Sequence, residues 1–261
     1  MSALPRVVFT FCVALMLAAC QQQAVREGDA RSTGELGAPN DSRSPANVYI
    51  ELAAAYLKEK RLDEAYKNAQ KAVIVDPSSS NARYVLAVVQ QSLGQDAAAD
   101  ESYRKSVQLD PRNPNALNAY GSFLCGKGQY DTADQQFRQA LNNPLYATPW
   151  LSWHNAGACL ERSGDKVAAE KDFRSALRLN PRFPASLLGM ARISFATENY
   201  LSARAYLQRY AEVAEHTAES LWLGVRTENQ LGDRDQRAMY SLKLRAKFPD
   251  SDEAKYLQSI E

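Results

Sequence analysis

Residues 150–183 read W-L-S-W-H-N-A-G-A-C-L-E-R-S-G-D-K-V-A-A-E-K-D-F-R-S-A-L-R-L-N-P-R-F. Trp153, Ala156, Gly157 and Leu160 recur at the three- and four-residue steps of one helix face, and Ala169, Phe173 and Ala176 do the same after Gly164. Two helices are therefore predicted. Gly164 joins them where a positive φ suits glycine, and Pro181 ends the second because proline cannot continue a helix. Gly157 and the alanines let the two backbones approach, while Trp153, Leu160 and Phe173 fill the space beside them. A lone pair of this size leaves an apolar face uncovered, so it needs neighbours of its own kind.

Such neighbours stand on both sides. Asp76-Pro77, Asp110-Pro111 and Asn180-Pro181 end three units and Pro249 ends another, at proline spacings of 34, 70 and 68. Thirty-four residues is the period of a tetratricopeptide repeat, 68 is twice that period, and 70 is twice it plus two residues. In this register Tyr49, Leu52, Ala53, Tyr56, Ala65, Ala69 and Ala72 belong to the first repeat. Leu86, Ala87, Gly94, Ala99 and Tyr103 belong to the second, and Leu117, Tyr120, Gly121, Gly128 and Phe137 to the third. The fifth and sixth are weaker, as terminal repeats with fewer neighbours are. The expected fold class is all-α, a right-handed superhelix (solenoid) of about six tetratricopeptide repeats. They span residues 46–79, 80–113, 114–147, 150–183, 184–217 and 218–251, and residues 251–261 close the last face. The segment from Asn142 to Pro149 carries the two extra residues and two prolines, which predicts a longer, stiffer connection and a change of pitch there.

The first nineteen residues hold one charge, Arg6, followed by an apolar run from Val7 to Ala19. That layout is a secretory signal, too short for a spanning helix of about 20 apolar residues. It ends in Leu17-Ala18-Ala19-Cys20, which resembles a bacterial lipoprotein signal. The resemblance implies cleavage before Cys20 and acylation of Cys20, and an anchor of two or more chains holds a protein stably on a membrane. Gln21, in place of an aspartate, implies the outer membrane with the protein facing the periplasm. Residues 20–45 are rich in Gln, Gly, Ser and Asp and poor in large apolar residues, the composition of a flexible tether, with a reach of about 25–30 Å.

Lys and Arg number 31 against 30 Asp and Glu, and loss of Arg6 with the signal makes the balance even. That leaves no electrostatic footprint for nucleic acid. His154 and His216 are not at ligand spacing from another His or Cys, so no metal, cofactor or catalytic set is expected. Gly121-Ser122-Phe123-Leu124-Cys125-Gly126-Lys127-Gly128 looks like a phosphate-binding loop, but Gly128 replaces its final Ser or Thr and no strand precedes it. No nucleotide is therefore expected. Cys125 and Cys159 fall on the first helices of adjacent repeats. In an exported protein they are either a disulfide or two buried thiols.

Arrays of this kind hold a peptide or a partner's helix on the concave face lined by their first helices. The register puts Ile50, Ala54, Leu57, Tyr84, Val88 and Gln91 on the early part of that face, the candidate partner-binding groove. His154, Glu161, Leu188, Arg192, Phe195, Trp222 and Arg226 follow. Apolar side chains grouped on one surface mark interaction sites, unless the array itself covers several of them.

Asn118-Ala119-Tyr120-Gly121-Ser122-Phe123-Leu124-Cys125, Asn143-Pro144-Leu145-Tyr146 with Pro149, and Asn155-Ala156-Gly157-Ala158-Cys159 stand in one register. Together they resemble the type IV pilus biogenesis lipoproteins often called pilotins, of the PilF/PilW type. The resemblance implies a six-repeat outer-membrane lipoprotein that is not an enzyme. It also implies a partner, the subunits of the pilus secretin, whose localisation and multimer assembly such proteins support. The family often carries both cysteines, which favours the Cys125–Cys159 disulfide. The other reading of the same repeats is an adaptor for a different cell-envelope complex, such as cell-wall enzymes.

Overall fold

The computed structural model describes residues 44–259; the signal segment, Cys20 and the tether as far as residue 43 lie outside them. Among the described residues the regular elements are α-helices, arranged as six antiparallel pairs and a closing helix. The pairs are α1 (Pro45–Lys58) with α2 (Leu62–Val75), α3 (Ser80–Ser92) with α4 (Asp96–Leu109), and α5 (Pro114–Gly126) with α6 (Tyr130–Leu141). Then come α7 (Pro149–Ser163) with α8 (Lys166–Leu179), α9 (Pro184–Ala196) with α10 (Tyr200–Ala211), and α11 (Ala218–Leu231) with α12 (Arg234–Lys247), before α13 (Asp252–Ser259). Each helix packs on the next in sequence, and each first helix also touches the first helix of the following pair. The result is a tetratricopeptide superhelix.

The helix starts have local causes. Pro45, Pro114, Pro149 and Pro184 occupy first helical positions, where a missing N–H costs nothing. Ser79, Asn113, Asp165 and Asp233 accept hydrogen bonds from backbone N–H groups in the first turns of α3, α5, α8 and α12. Within each pair the turn passes through one residue of positive φ. Four of these are Gly94, Gly128, Gly164 and Gly232, but Lys60 and Glu198 adopt φ of 60° and 62° at the equivalent places.

Packing places one large side chain of a second helix against glycines of first helices. Phe173 on α8 lies under Gly157 of α7 and Gly189 of α9, and a Cβ on Gly189 would come within 2.7 Å of its ring. Phe137 does the same for Gly121 at 2.7 Å. Tyr103, Phe137, Phe173 and Leu207 hold one register position in successive repeats and are fully buried. Burying a side chain of this size contributes roughly 1.5–3 kcal/mol. At the end of the array, Ala254 and Leu257 of α13 cover Leu221, Val225, Tyr240 and Leu244. Among the described residues nothing covers the first helix in this way, and Val48 and Leu52 are exposed there.

Candidate functional site

Of the early-groove residues, Ile50 and Tyr84 are 2% and 3% exposed and belong to the core. This corrects the sequence expectation for both. Their register position points along the array into the next first helix, so they form the floor of the face and offer no surface to a partner. Ala54, Leu57 and Val88 are half-buried and Gln91 is exposed. The Gln91 Oε1 accepts a hydrogen bond from the Tyr103 hydroxyl at 2.8 Å. The open early face is thus a short apolar strip of Ala54, Leu57 and Val88, edged by Gln91.

Further along the face the lining becomes charged and is already paired. Arg192 on α9 donates to both carboxylate oxygens of Glu161 on α7, at 2.9 and 2.8 Å, and to Glu219 on α11 at 3.0 Å. Planar forks of this kind are strong and directional, so one arginine ties three consecutive first helices. Arg226 lies over the Phe195 ring, 4.2 Å from its centroid. His154 sits beneath, its Nδ1 3.0 Å from Ser186 Oγ and its ring edge-on to Phe183. Burial, reinforced by the Arg192 charge, pushes the His154 pKa from 6.5 down to about 4.

Where the third and fourth pairs meet, the residues quoted above for their common register converge. The buried Asn118 Oδ1 accepts hydrogen bonds from Ser152 Oγ and Asn155 Nδ2, both at 3.0 Å. Ser152 Oγ also lies 3.3 Å from the Tyr146 hydroxyl, and Tyr146 packs on Leu117 and Ala140. Nearby, Cys125 and Cys159 form a disulfide with Cα atoms 5.7 Å apart. On the outer side Arg138 of α6 forks onto Asp172 of α8 and stacks over Trp153. Burial raises the Asp172 pKa, and Arg138 opposes that rise. The common register of Asn118 and Asn155 was visible in sequence, but the hydrogen bonds that Asn118 shares with Ser152 and Asn155 were not.

The segment that looked like a phosphate loop is the second half of α5 and the turn after it. Gly121 is there because Phe137 leaves no room for a Cβ, and Gly128 because φ is 76°. Lys127 pairs with Asp96 of α4 and lies over the Phe123 ring. Among the described residues no three His, Cys, Asp or Glu side chains stand where they would hold a metal ion.

Tetratricopeptide-repeat family patterns match residues 46–79 and 80–113, and a further one matches residues 102–135. The middle TPR-like domain of cilia and flagella-associated protein 70 matches residues 146–247. The type IV pilus assembly protein PilF of Pseudomonas aeruginosa is 32% identical over 254 residues, covering 97% of this chain and 98% of PilF. The chain belongs to the PilF family. A solved structure of Pseudomonas aeruginosa PilF superposes with a TM-score of 0.76 at 34% identity, over 83% of this chain and 97% of that one. The crystal structure of PilW, a widely conserved type IV pilus biogenesis factor, gives 0.76 at 28% identity, over 82% and 98% of the two chains. A PilF-family member is thus a tetratricopeptide-repeat protein of type IV pilus biogenesis.

Proposed function

We propose that the chain is an outer-membrane lipoprotein scaffold, anchored through lipid on Cys20 and facing the periplasm. In this reading it binds subunits of the pilus secretin and promotes their outer-membrane localisation and multimer assembly. The observation that carries the reading is likeness to PilF along the whole chain, 97% of it, together with Leu17-Ala18-Ala19-Cys20 at the end of the apolar run. An acyl anchor keeps the array within a tether's length of the bilayer, roughly 25–30 Å, where a secretin ring must insert. The apolar strip of Ala54, Leu57 and Val88 is the surface assigned to the partner, because contiguous half-open apolar groups on a concave face favour a docked segment.

A deletion strain complemented with wild type or with Cys20→Ser tests this. Loss of secretin multimers from the outer membrane in the deletion, restored by wild type and not by Cys20→Ser, is the expected outcome. Normal pili with altered cell shape would overturn it in favour of an adaptor for cell-wall enzymes.

A further inference from the structure

The two ends of the array are finished differently. At the third, seventh and tenth register positions every first helix after α1 is buried, from Ala82, Leu86 and Val89 in α3 to Ser220, Gly224 and Thr227 in α11, because the preceding pair lies against it. In α1 the same positions hold Val48, Leu52 and Ala55. Val48 is 49% and Leu52 38% exposed, and Ala55 is exposed as well. On α2, Lys71 borders this face. Its register position is the one from which Gln139 and Arg209 reach back to the carbonyls of Pro111 and Pro181 in the preceding repeat, and its own Nζ lies over the Tyr49 ring. One turn on, Ile74 is 75% exposed, where the later repeats carry Gln108, Asn142, Arg178, Glu212 and Ala246. At the far end α13 covers the last pair with Ala254 and Leu257 and turns Asp252, Lys255, Tyr256 and Gln258 outward. Terminal repeats of soluble arrays carry a polar outer face; α13 supplies one, and α1 does not.

The place where the chain enters the fold decides what this face meets. α1 follows the tether directly, within roughly 25–30 Å of Cys20, whereas six steps of about 8–10 Å from helix layer to helix layer set α13 roughly 50 Å away. The uncovered apolar end is thus the one beside the anchor, and the polar end is the remote one. The tether itself offers only Val25 and Leu36 as large apolar side chains, too few to cover the face. A second copy fits no better. α1 is about 21 Å long and 10–12 Å wide, so even with α2 beside it the face offers roughly 400–500 Å², against about 800 Å² per partner in a stable interface. A bilayer needs no such area when an anchor already holds the chain next to it, and it takes up a protruding helix face to a depth of about 5–10 Å. Lys67 and Lys71 have stems long enough to lie along apolar neighbours with their charges among headgroups, and the ring and hydroxyl of Tyr49 suit the same boundary. We propose, on the reading that Cys20 is acylated, that the outer face of α1 and the Ile74 end of α2 form a lipid-docking surface, seated in the headgroup region of the membrane that holds the anchor. The array then stands end-on to the bilayer, with its concave face open to the side.

The test uses the full chain, purified with its lipid and reconstituted in vesicles of phosphatidylethanolamine and phosphatidylglycerol. A nitroxide is attached at Val48→Cys or, as a control, at Leu242→Cys, an exposed site on α12. Its collisions with oxygen, which partitions into lipid, are compared with its collisions with a water-soluble nickel chelate. The oxygen-to-nickel ratio at position 48 should be at least fivefold higher in vesicles than in the unanchored Cys20→Ser chain without lipid, while the ratio at 242 stays unchanged. Leu52→Glu/Ile74→Glu, which alters two exposed sites, should return the ratio at 48 to its aqueous value and leave the melting temperature alone. A ratio that stays high in that variant overturns the assignment of the surface. An aqueous ratio at 48 with Cys20 shown by mass spectrometry to be acylated overturns the docking surface and leaves the scaffold reading standing. A Cys20 without lipid overturns both. A label at 48 shielded from both probes means that protein covers the face, which also overturns lipid docking.

Discussion

Cys125 on α5 and Cys159 on α7 are bonded to each other, 34 residues apart in sequence and 5.7 Å apart between Cα atoms. The third and fourth helix pairs are therefore joined covalently on either side of the loop at residues 142–148. Closing a loop of this length removes unfolded-state entropy worth roughly 3–4 kcal/mol. Thermal unfolding should shift to lower temperature by several degrees when a reductant is present. The Cys125→Ser/Cys159→Ser double variant should start lower and ignore the reductant. Identical midpoints with and without reductant in the wild type would mean that the bond stabilises nothing.

Acid should weaken the fold through His154. Its pKa is lowered from 6.5 to about 4 by burial and by Arg192, so between those values the unfolded chain binds a proton that the folded chain refuses. Stability is then complete above about pH 6.5 and falls as the pH drops toward 4, by up to about 3 kcal/mol at 1.36 kcal/mol per unit. His216 is shifted in the same direction by burial and nearby lysines and adds to the slope. Denaturant titrations from pH 7.5 to 4.5 should show this decline, and His154→Gln should flatten it.

Two glycines of first helices should respond in opposite ways to alanine. At Gly189 the new methyl would meet the Phe173 ring at 2.7 Å, while at Gly126 nothing lies within 4 Å. Gly189→Ala forces the ring or a helix to move, at about 1–3 kcal/mol. Gly126→Ala gains helix propensity, up to about 1 kcal/mol. Urea midpoints measured side by side check the difference in sign.

Leu57 and Tyr84 separate binding from folding. Leu57 is half-buried on the open face, so Leu57→Glu should keep helicity and a cooperative melt while reducing secretin multimers in cells. Tyr84 is 3% exposed, so Tyr84→Glu places an unpaired carboxylate in the core and should cost several kcal/mol. Circular dichroism melts of both proteins, beside immunoblots of secretin multimers, read the two effects. Full secretin assembly with Leu57→Glu would move the partner surface elsewhere.

The helix pairs were legible without coordinates because what makes them is local. Alanines and glycines at three- and four-residue steps, prolines just past second helices, and a 34-residue period all act within one repeat or on the next. Even so, Lys60 and Glu198 hold turn positions that glycine usually holds, and no propensity marks them; neighbouring helices impose that conformation. The register also placed Arg192, Glu161 and Phe195 at lining positions, yet did not tell that Arg192 would be shared between Glu161 and Glu219. A list of positions carries no information about which charges neutralise each other.

Sequence by itself determined the all-α repeat architecture, its register and the family resemblance, because periodic apolar spacing and punctuation by Gly and Pro are properties of short stretches. Tertiary structure alone decided that Ile50 and Tyr84 are floor and Leu57 and Val88 are surface. It alone showed Asn118 gathering Ser152 and Asn155. Each of those outcomes depends on how far one first helix is rotated against the next. That rotation is set by the fit of side chains such as Phe173 between Gly157 and Gly189, a property of whole interfaces that no window of residues contains.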